Sequence, residues 1–258
     1  MTAVTLIEPG ARSSAAHAPS ASARIWRIVR LHYANRVNSL YAPLGTLASI
    51  FAVFLFVQVL IVHATGHNAD SGQGYSPGLV YFLPYQVIFA VQAMNLTFAY
   101  ALGMSSTRRD FALGTGLMFF LQSAGFSVIC TVMSYLEQWT HGWGLHSVLF
   151  HGLVYGTGNV GERLLTFFAG IFFMLCVGSV FGAAFVRWRM NGTFVIGLAL
   201  LLVFVGAAAL ITFTNSWLRL GNWFVAVGPA GFAAWLLLPA AIFAVIGYVA
   251  LRRATPKS

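Results

Sequence analysis

Leu164 through Val186 read LLTFFAGIFFMLCVGSVFGAAFV, without a single charge, and the next three residues are Arg187, Trp188 and Arg189. A helix rises 1.5 Å per residue and the hydrocarbon core of a bilayer is about 30 Å thick, so about 20 apolar residues suffice to cross it. The basic and aromatic residues that end the stretch mark a membrane–water boundary. Five more stretches of the same kind lie at 43–63, 79–102, 111–135, 193–213 and 232–251. The expectation is an all-α integral membrane protein with six transmembrane helices. With 59% hydrophobic and 7% charged residues in a chain of 258, little is left for a soluble domain.

Charge sets the expected orientation. If the N-terminus faces the cytoplasm, Arg12, Arg24, Arg27, Arg30, Arg36, Arg108, Arg109, Arg187, Arg189, Arg252, Arg253 and Lys257 are inside, and only Arg163 and Arg219 are outside. This asymmetry matches an even number of crossings with both termini cytoplasmic. The net charge of +9 is then a matter of topology and attraction to anionic lipid, and it implies no nucleic-acid partner. Lys257, the single lysine, follows Pro256 and cannot serve a phosphate loop, whose lysine must follow a glycine-rich turn. This chain therefore carries no nucleotide-binding motif and is not expected to be an enzyme. Cys130 and Cys176 both fall inside predicted spans and read as small packing residues.

Between the spans the composition changes. Residues 1–23 are rich in Ala and Ser, lack a signal-peptide core and read as a disordered cytoplasmic tail; residues 254–258 form a second tail. In 24–42, Trp26, Val29, Tyr33, Val37 and Leu40 recur at helical spacing. Arg24, Arg27, Arg30 and Arg36 lie mostly off that stripe. This predicts an amphipathic interfacial helix before the six-span domain at 43–253, with the arginines and Trp26 meeting the inner leaflet or a partner. The outside segment 137–163 carries Trp139, Trp143, Leu149, Phe150 and Tyr155 and reads as a piece resting in the interface. Segment 214–231, with Trp217, Trp223, Gly228 and Pro229, predicts a short broken hairpin dipping into the outer leaflet between spans 5 and 6.

Few residues carry chemistry. No acidic residue sits near the middle of a span, which weighs against a proton-coupled secondary carrier. His141, His146 and His151, spaced by five, do not share a helical face and read as interfacial rather than metal-binding. No catalytic nucleophile with a neighbouring base is evident. The amides Gln58, Gln86, Gln92, Asn95 and Gln122 are either inter-helix hydrogen-bonders or path-lining groups; Gln86, Gln92 and Asn95 are the candidates for the latter. Gly178 and Gly182, four apart, offer a site of close helix packing. The segment Ser106, Thr107, Arg108, Arg109, Asp110, Phe111 forms a compact charged turn that offers charge-assisted contacts to a soluble partner.

With its basic amphipathic helix, its six spans, its arginine-containing turn at 103–114 (Gly-Met-Ser-Ser-Thr-Arg-Arg-Asp-Phe-Ala-Leu-Gly) and its broken outer segment, the chain resembles the membrane subunits of type 2 ATP-binding-cassette exporters over about residues 24–253. The resemblance implies that Ser106 to Phe111 couple to a cytoplasmic ATPase and that the N-terminal helix touches it too. It implies two permease copies, identical or different, working with two ATPase subunits that bind ATP and Mg, in a bacterial cell membrane. The long aromatic segment 137–163 departs from the simplest members of that family. Alternatives are a non-transporting membrane scaffold or sensor subunit, and an integral-membrane enzyme acting on lipid or peptide through His141, His146, His151, Glu137 and Glu162.

Overall fold

The structure, a computed structural model, describes residues 20–65, 77–104, 106–152, 155 and 157–252. Of the expected tail at 1–23, residues 1–19 lie outside the described residues and 21–23 belong to α1; the expected tail at 254–258 and the loop residues 66–76 also lie outside them. Every regular element among the described residues is helical: α1 (Ala21–Ala34), α2 (Ala42–Thr65), α3 (Pro77–Gly103), α4 (Arg108–Trp139), α5 (Val160–Phe213) and α6 (Trp217–Arg252). Two single π-helical turns, Val37–Tyr41 and Gly142–His146, complete the set. Five of these helical stretches are long and apolar enough to cross a membrane, the pattern of a membrane protein.

Two of the long helices fold back on themselves. Gly197 sits 3.7 Å from the Phe181 ring, measured from where its Cβ would be. Residues sixteen apart on a straight helix would be about 24 Å apart. Gly192 likewise meets the Ala184 carbonyl at 3.1 Å. The two pairs are centred on residues 189 and 188, at the turn where the Arg189 backbone (φ 56°, ψ −145°) is non-helical. The 54 residues of α5 are therefore two antiparallel arms, 160–188 and 190–213. In α6 the break is Gly228 (φ 68°, ψ 172°), in a region of backbone space essentially reserved for glycine. The rings of Phe224 and Phe232 are 4.9 Å apart and those of Trp223 and Trp235 are 6.2 Å apart, so the chain reverses there as well. The first arm of α6, 217–227, spans only about 16 Å and is too short to cross a bilayer.

The core lies where α3, α4 and α5 meet. Phe82, Phe89, Met94, Phe98, Phe111, Met118, Phe126 and Leu175 are buried there. Gly178 and Gly182 make that contact close: a Cβ on Gly178 would lie 2.6 Å from the Ala90 Cβ, and one on Gly182 would lie 2.8 Å from the Met94 sulfur. Both glycines therefore pack α5 against α3 within one chain. Gly247 of α6 meets Ser179 of α5 in the same manner. Cys130 and Cys176 are buried, unpaired thiols.

Two segments differ from expectation. The buried face of α1 is Ile28, Val29 and His32, while Trp26 is half exposed. The helix packs on the protein, chiefly α4, because Gly114 leaves a notch that Ile28 fills. The aromatic segment after α4 also turns inward. Leu149 and Phe150 are buried, and Phe51 of α2 packs against the rings of Trp143 at 4.8 Å and Phe150 at 6.0 Å. A buried carboxylate explains this inward fold. Glu137, at the end of α4, accepts hydrogen bonds from the backbone N–H of Leu149, Phe150 and His151 at 2.9–3.1 Å and from the Trp143 indole at 3.4 Å. Three successive amides turned toward one carboxylate satisfy a charge that would otherwise be costly to bury.

Candidate functional site

The arginine turn before α4 is built from standard helix-start chemistry. Thr107 is the N-cap, its hydroxyl accepting the Asp110 N–H at 3.1 Å, and Asp110 in the first turn suits the helix dipole. Asp110 is nearly buried and is held by Arg24 of α1, with Nε to Oδ2 at 3.0 Å. Phe111 is fully buried against Phe98 and His32, with ring centroids at 5.2 and 6.0 Å. Arg108 donates from Nη1 to the carbonyl of Arg252 at 3.2 Å and so ties the start of α4 to the end of α6. Thr107 and Arg109 are exposed, and Ser106 is partly so. The six turn residues thus divide: Arg108, Asp110 and Phe111 hold three helices together, and Thr107 and Arg109 face outward.

Below this turn runs a polar seam. His32 is buried, with Nε2 at 3.0 Å from the Thr115 hydroxyl of α4 and Nδ1 at 3.5 Å from the Thr97 hydroxyl of α3. Burial pushes its imidazole down to about 4, so it is neutral at pH 7. One turn further on, Pro43 has no N–H, and the Ser39 carbonyl four residues earlier loses its helical donor. Gln122 of α4 replaces that donor, its amide N–H bonding the Ser39 carbonyl at 3.2 Å, and its oxygen accepts from the Tyr33 hydroxyl at 3.4 Å. The Ser39 hydroxyl in turn donates to the His32 carbonyl. The π turn at Val37–Tyr41 is the form the backbone takes at this proline junction, and α4 holds it in place.

Of the path-lining candidates, Gln92 is exposed and Asn95 half-buried on one face of α3, while Gln86 is fully buried inside the bundle with neither side-chain polar atom hydrogen-bonded. Gln92 borders a small cavity of about 40 Å³ shared with His32, Asn35, Asn38 and Thr97, room for roughly two or three water molecules. Arg27, Arg30 and Arg36 are exposed on the outer side of α1 and the turn after it.

At the other end of the bundle the charges serve structure. Glu162 and Asn159 form a reciprocal capping box at the start of α5. Arg163 is buried, donating to the Ser134 hydroxyl at 3.0 Å, the Gln138 side-chain oxygen at 2.8 Å and the Gly158 carbonyl at 3.1 Å, with its guanidinium over the Tyr135 ring. His151 bonds Gln138. Among the described residues no three His, Cys, Asp or Glu side chains gather as metal ligands would.

Sequence reasoning missed His32, Gln122 as the clamp of the π turn, and the Glu137 cradle. His32 was visible as a polar residue one turn beyond Ile28, and Pro43 signalled an unpaired carbonyl at Ser39. Nothing local marks Glu137, whose partners are backbone groups 12–14 residues away.

Compared with protein-family models, curated proteins and solved structures, the chain matches none of them.

Proposed function

We propose that this chain is the permease subunit of an ATP-driven exporter, coupled to separate ATPase subunits through the turn between α3 and α4. The observation that carries the reading is the way this turn is mounted. Arg109 and Thr107 project outward from a junction that joins α1 through the Arg24–Asp110 pair and α6 through the Arg108–Arg252 bond. A partner that grips Arg109 and moves it displaces three helices together. An exposed arginine on a rigid mount is suited to reading the motion of a second protein.

In this reading the membrane is crossed six times, by α2, α3, α4, the two arms of α5 and the long arm of α6. The short arm of α6 then lies in the outer leaflet. The Arg24–Asp110 pair and the Arg108–Arg252 bond gather three arginines at one end of the bundle, and Trp188, between Arg187 and Arg189, lines the same cavity as Ala250 near that end, which supports a cytoplasmic assignment for it under the positive-inside rule. The ATPase partners bind ATP and Mg; a second permease copy completes the path; the location is a bacterial cell membrane with both termini cytoplasmic.

The test is co-purification and reconstitution with a candidate ATP-binding-cassette ATPase. Arg109→Ala is the discriminating variant, because Arg108→Ala also frees the end of α6. Arg109→Ala should insert and fold normally yet reduce ATP-driven transport about tenfold or more, the loss of one well-made charged contact at a docking interface. Transport at the wild-type rate, or full activity with no ATPase present, would sink the proposal.

A further inference from the structure

A cavity of about 510 Å³ opens between the two arms of α5 and the end of α6. Its walls include Val180, Val195, Ile196 and Ile246, and it reaches Trp188 at the turn between the arms. Its volume lies within the range of small-molecule sites. An apolar cavity of this size gives water nothing to bond to, and in a membrane the available apolar material is an acyl chain.

One end of the cavity is cationic. Trp188 lies between Arg187 and Arg189 in sequence, and the Arg187 guanidinium stacks over its ring at 4.5 Å. Arg252 lies elsewhere: its guanidinium is over the Tyr248 ring at 5.8 Å, on the side of α6 away from the cavity-lining Ile246 and Ala250. Neither Arg187 nor Arg189 has a carboxylate partner among the described residues. The second arm of α5 begins at this rim with no acidic residue in its first turn, so its dipole also favours an anion.

We infer that this cleft is a binding site for an anionic phospholipid, its acyl chain between the arms of α5 and its phosphate held by Arg187 and Arg189. The inference rests on the membrane-spanning reading but not on coupling to an ATPase. An apolar channel with a basic rim matches a lipid's two chemistries at once, whereas a free anion needs only the rim.

The experiment is native mass spectrometry of the full chain in detergent, titrated with phosphatidylglycerol and with phosphatidylcholine of the same acyl chains. Wild type should retain phosphatidylglycerol preferentially. The double variant R187Q/R189Q should lose that preference, on the order of fivefold for each arginine neutralised. Ile196→Trp, which fills the cavity and keeps every arginine, should reduce retention of both lipids while thermal unfolding shows the fold intact. Equal retention of the two lipids by wild type would overturn the inference. So would phosphatidylglycerol binding indifferent to Ile196→Trp and displaced by inorganic phosphate, which is the behaviour of a free-anion site. Failure to float with vesicles would overturn the membrane reading beneath it. Wild-type transport by Arg109→Ala, with lipid preference retained, would strike only the coupling proposal.

Discussion

Glu137 is the residue on which the most backbone depends. Its two oxygens accept the N–H groups of Leu149, Phe150 and His151, so one side chain supplies the hydrogen bonding of a segment that has no regular structure of its own. Replacing it by Gln substitutes an NH2 group for one acceptor and sets donor against donor. The expected cost is about 2–3 kcal/mol, borne locally. Limited proteolysis should then cut between residues 140 and 160 several-fold faster, and Trp143 emission should shift red, with overall helicity retained; protease resistance equal to wild type would refute the cradle's role. His32 carries the pH dependence. Its imidazole is held near 4 by burial, below the ordinary value of 6.5, so a detached α1 binds a proton more readily than a docked one. Docking is then fully supported above pH 6.5 and weakens as pH falls toward 4, by about 3 kcal/mol at most. Hydrogen exchange of α1 should accelerate across that window in wild type and be flat in His32→Gln; equal pH profiles for the two proteins would remove His32 from the account.

At the scale of elements, the fold turns on where helices approach closely and where they break. The contact of α3 with α5 is set by Gly178 and Gly182, since a Cβ on Gly178 would meet the Val87 carbonyl at 2.8 Å, an atom of backbone that cannot swing aside. Gly178→Val should therefore separate the two helices and lower stability by about 1–3 kcal/mol. Gly116, in the same bundle, has open space at its Cβ position. Gly116→Ala should be neutral or stabilising by up to about 1 kcal/mol through helix propensity. Thermal unfolding in detergent separates the two cases, and equal shifts would mean that neither contact is as close as described. The breaks have different origins. Gly228 adopts a conformation that only glycine takes readily, so Gly228 followed by Pro229 announces the break in sequence. Arg189 adopts a positive φ without that licence and is held there by the packing of both arms. Pro43 sits between these cases: its missing N–H is a sequence fact, but the donor that replaces it comes from Gln122 on another helix.

For the whole molecule, the testable statement is which ends lie together. Single cysteines at Arg109 and at Asn191 should label from the same side of a sealed vesicle, and cysteines at His141 and Arg219 from the other. Labelling of Arg109 and Asn191 from opposite sides would mean that α5 does not return across the membrane at Arg189. The all-helical class and nearly all helix positions were legible from the chain alone, because in lipid a helix needs only length, apolarity and flanking charge, all of which are local. The segment proposed to dock a partner, Ser106 to Phe111, was singled out in sequence, but its division of labour was not. Thr107 and Arg109 face outward while Asp110 and Phe111 are spent on α1, and Arg24, expected to reach headgroups or a partner, is spent on Asp110. The inward fold of 137–163 and the packing of α1 on α4 were equally hidden, since hydropathy does not distinguish an aromatic residue facing lipid from one facing protein. Sequence by itself determined that this chain is helical, apolar and basic at the ends of its helices. Tertiary structure alone decided which helix each of them touches, because buried polar groups such as Glu137, Gln122 and His32 find their partners across space, where no local pattern records them.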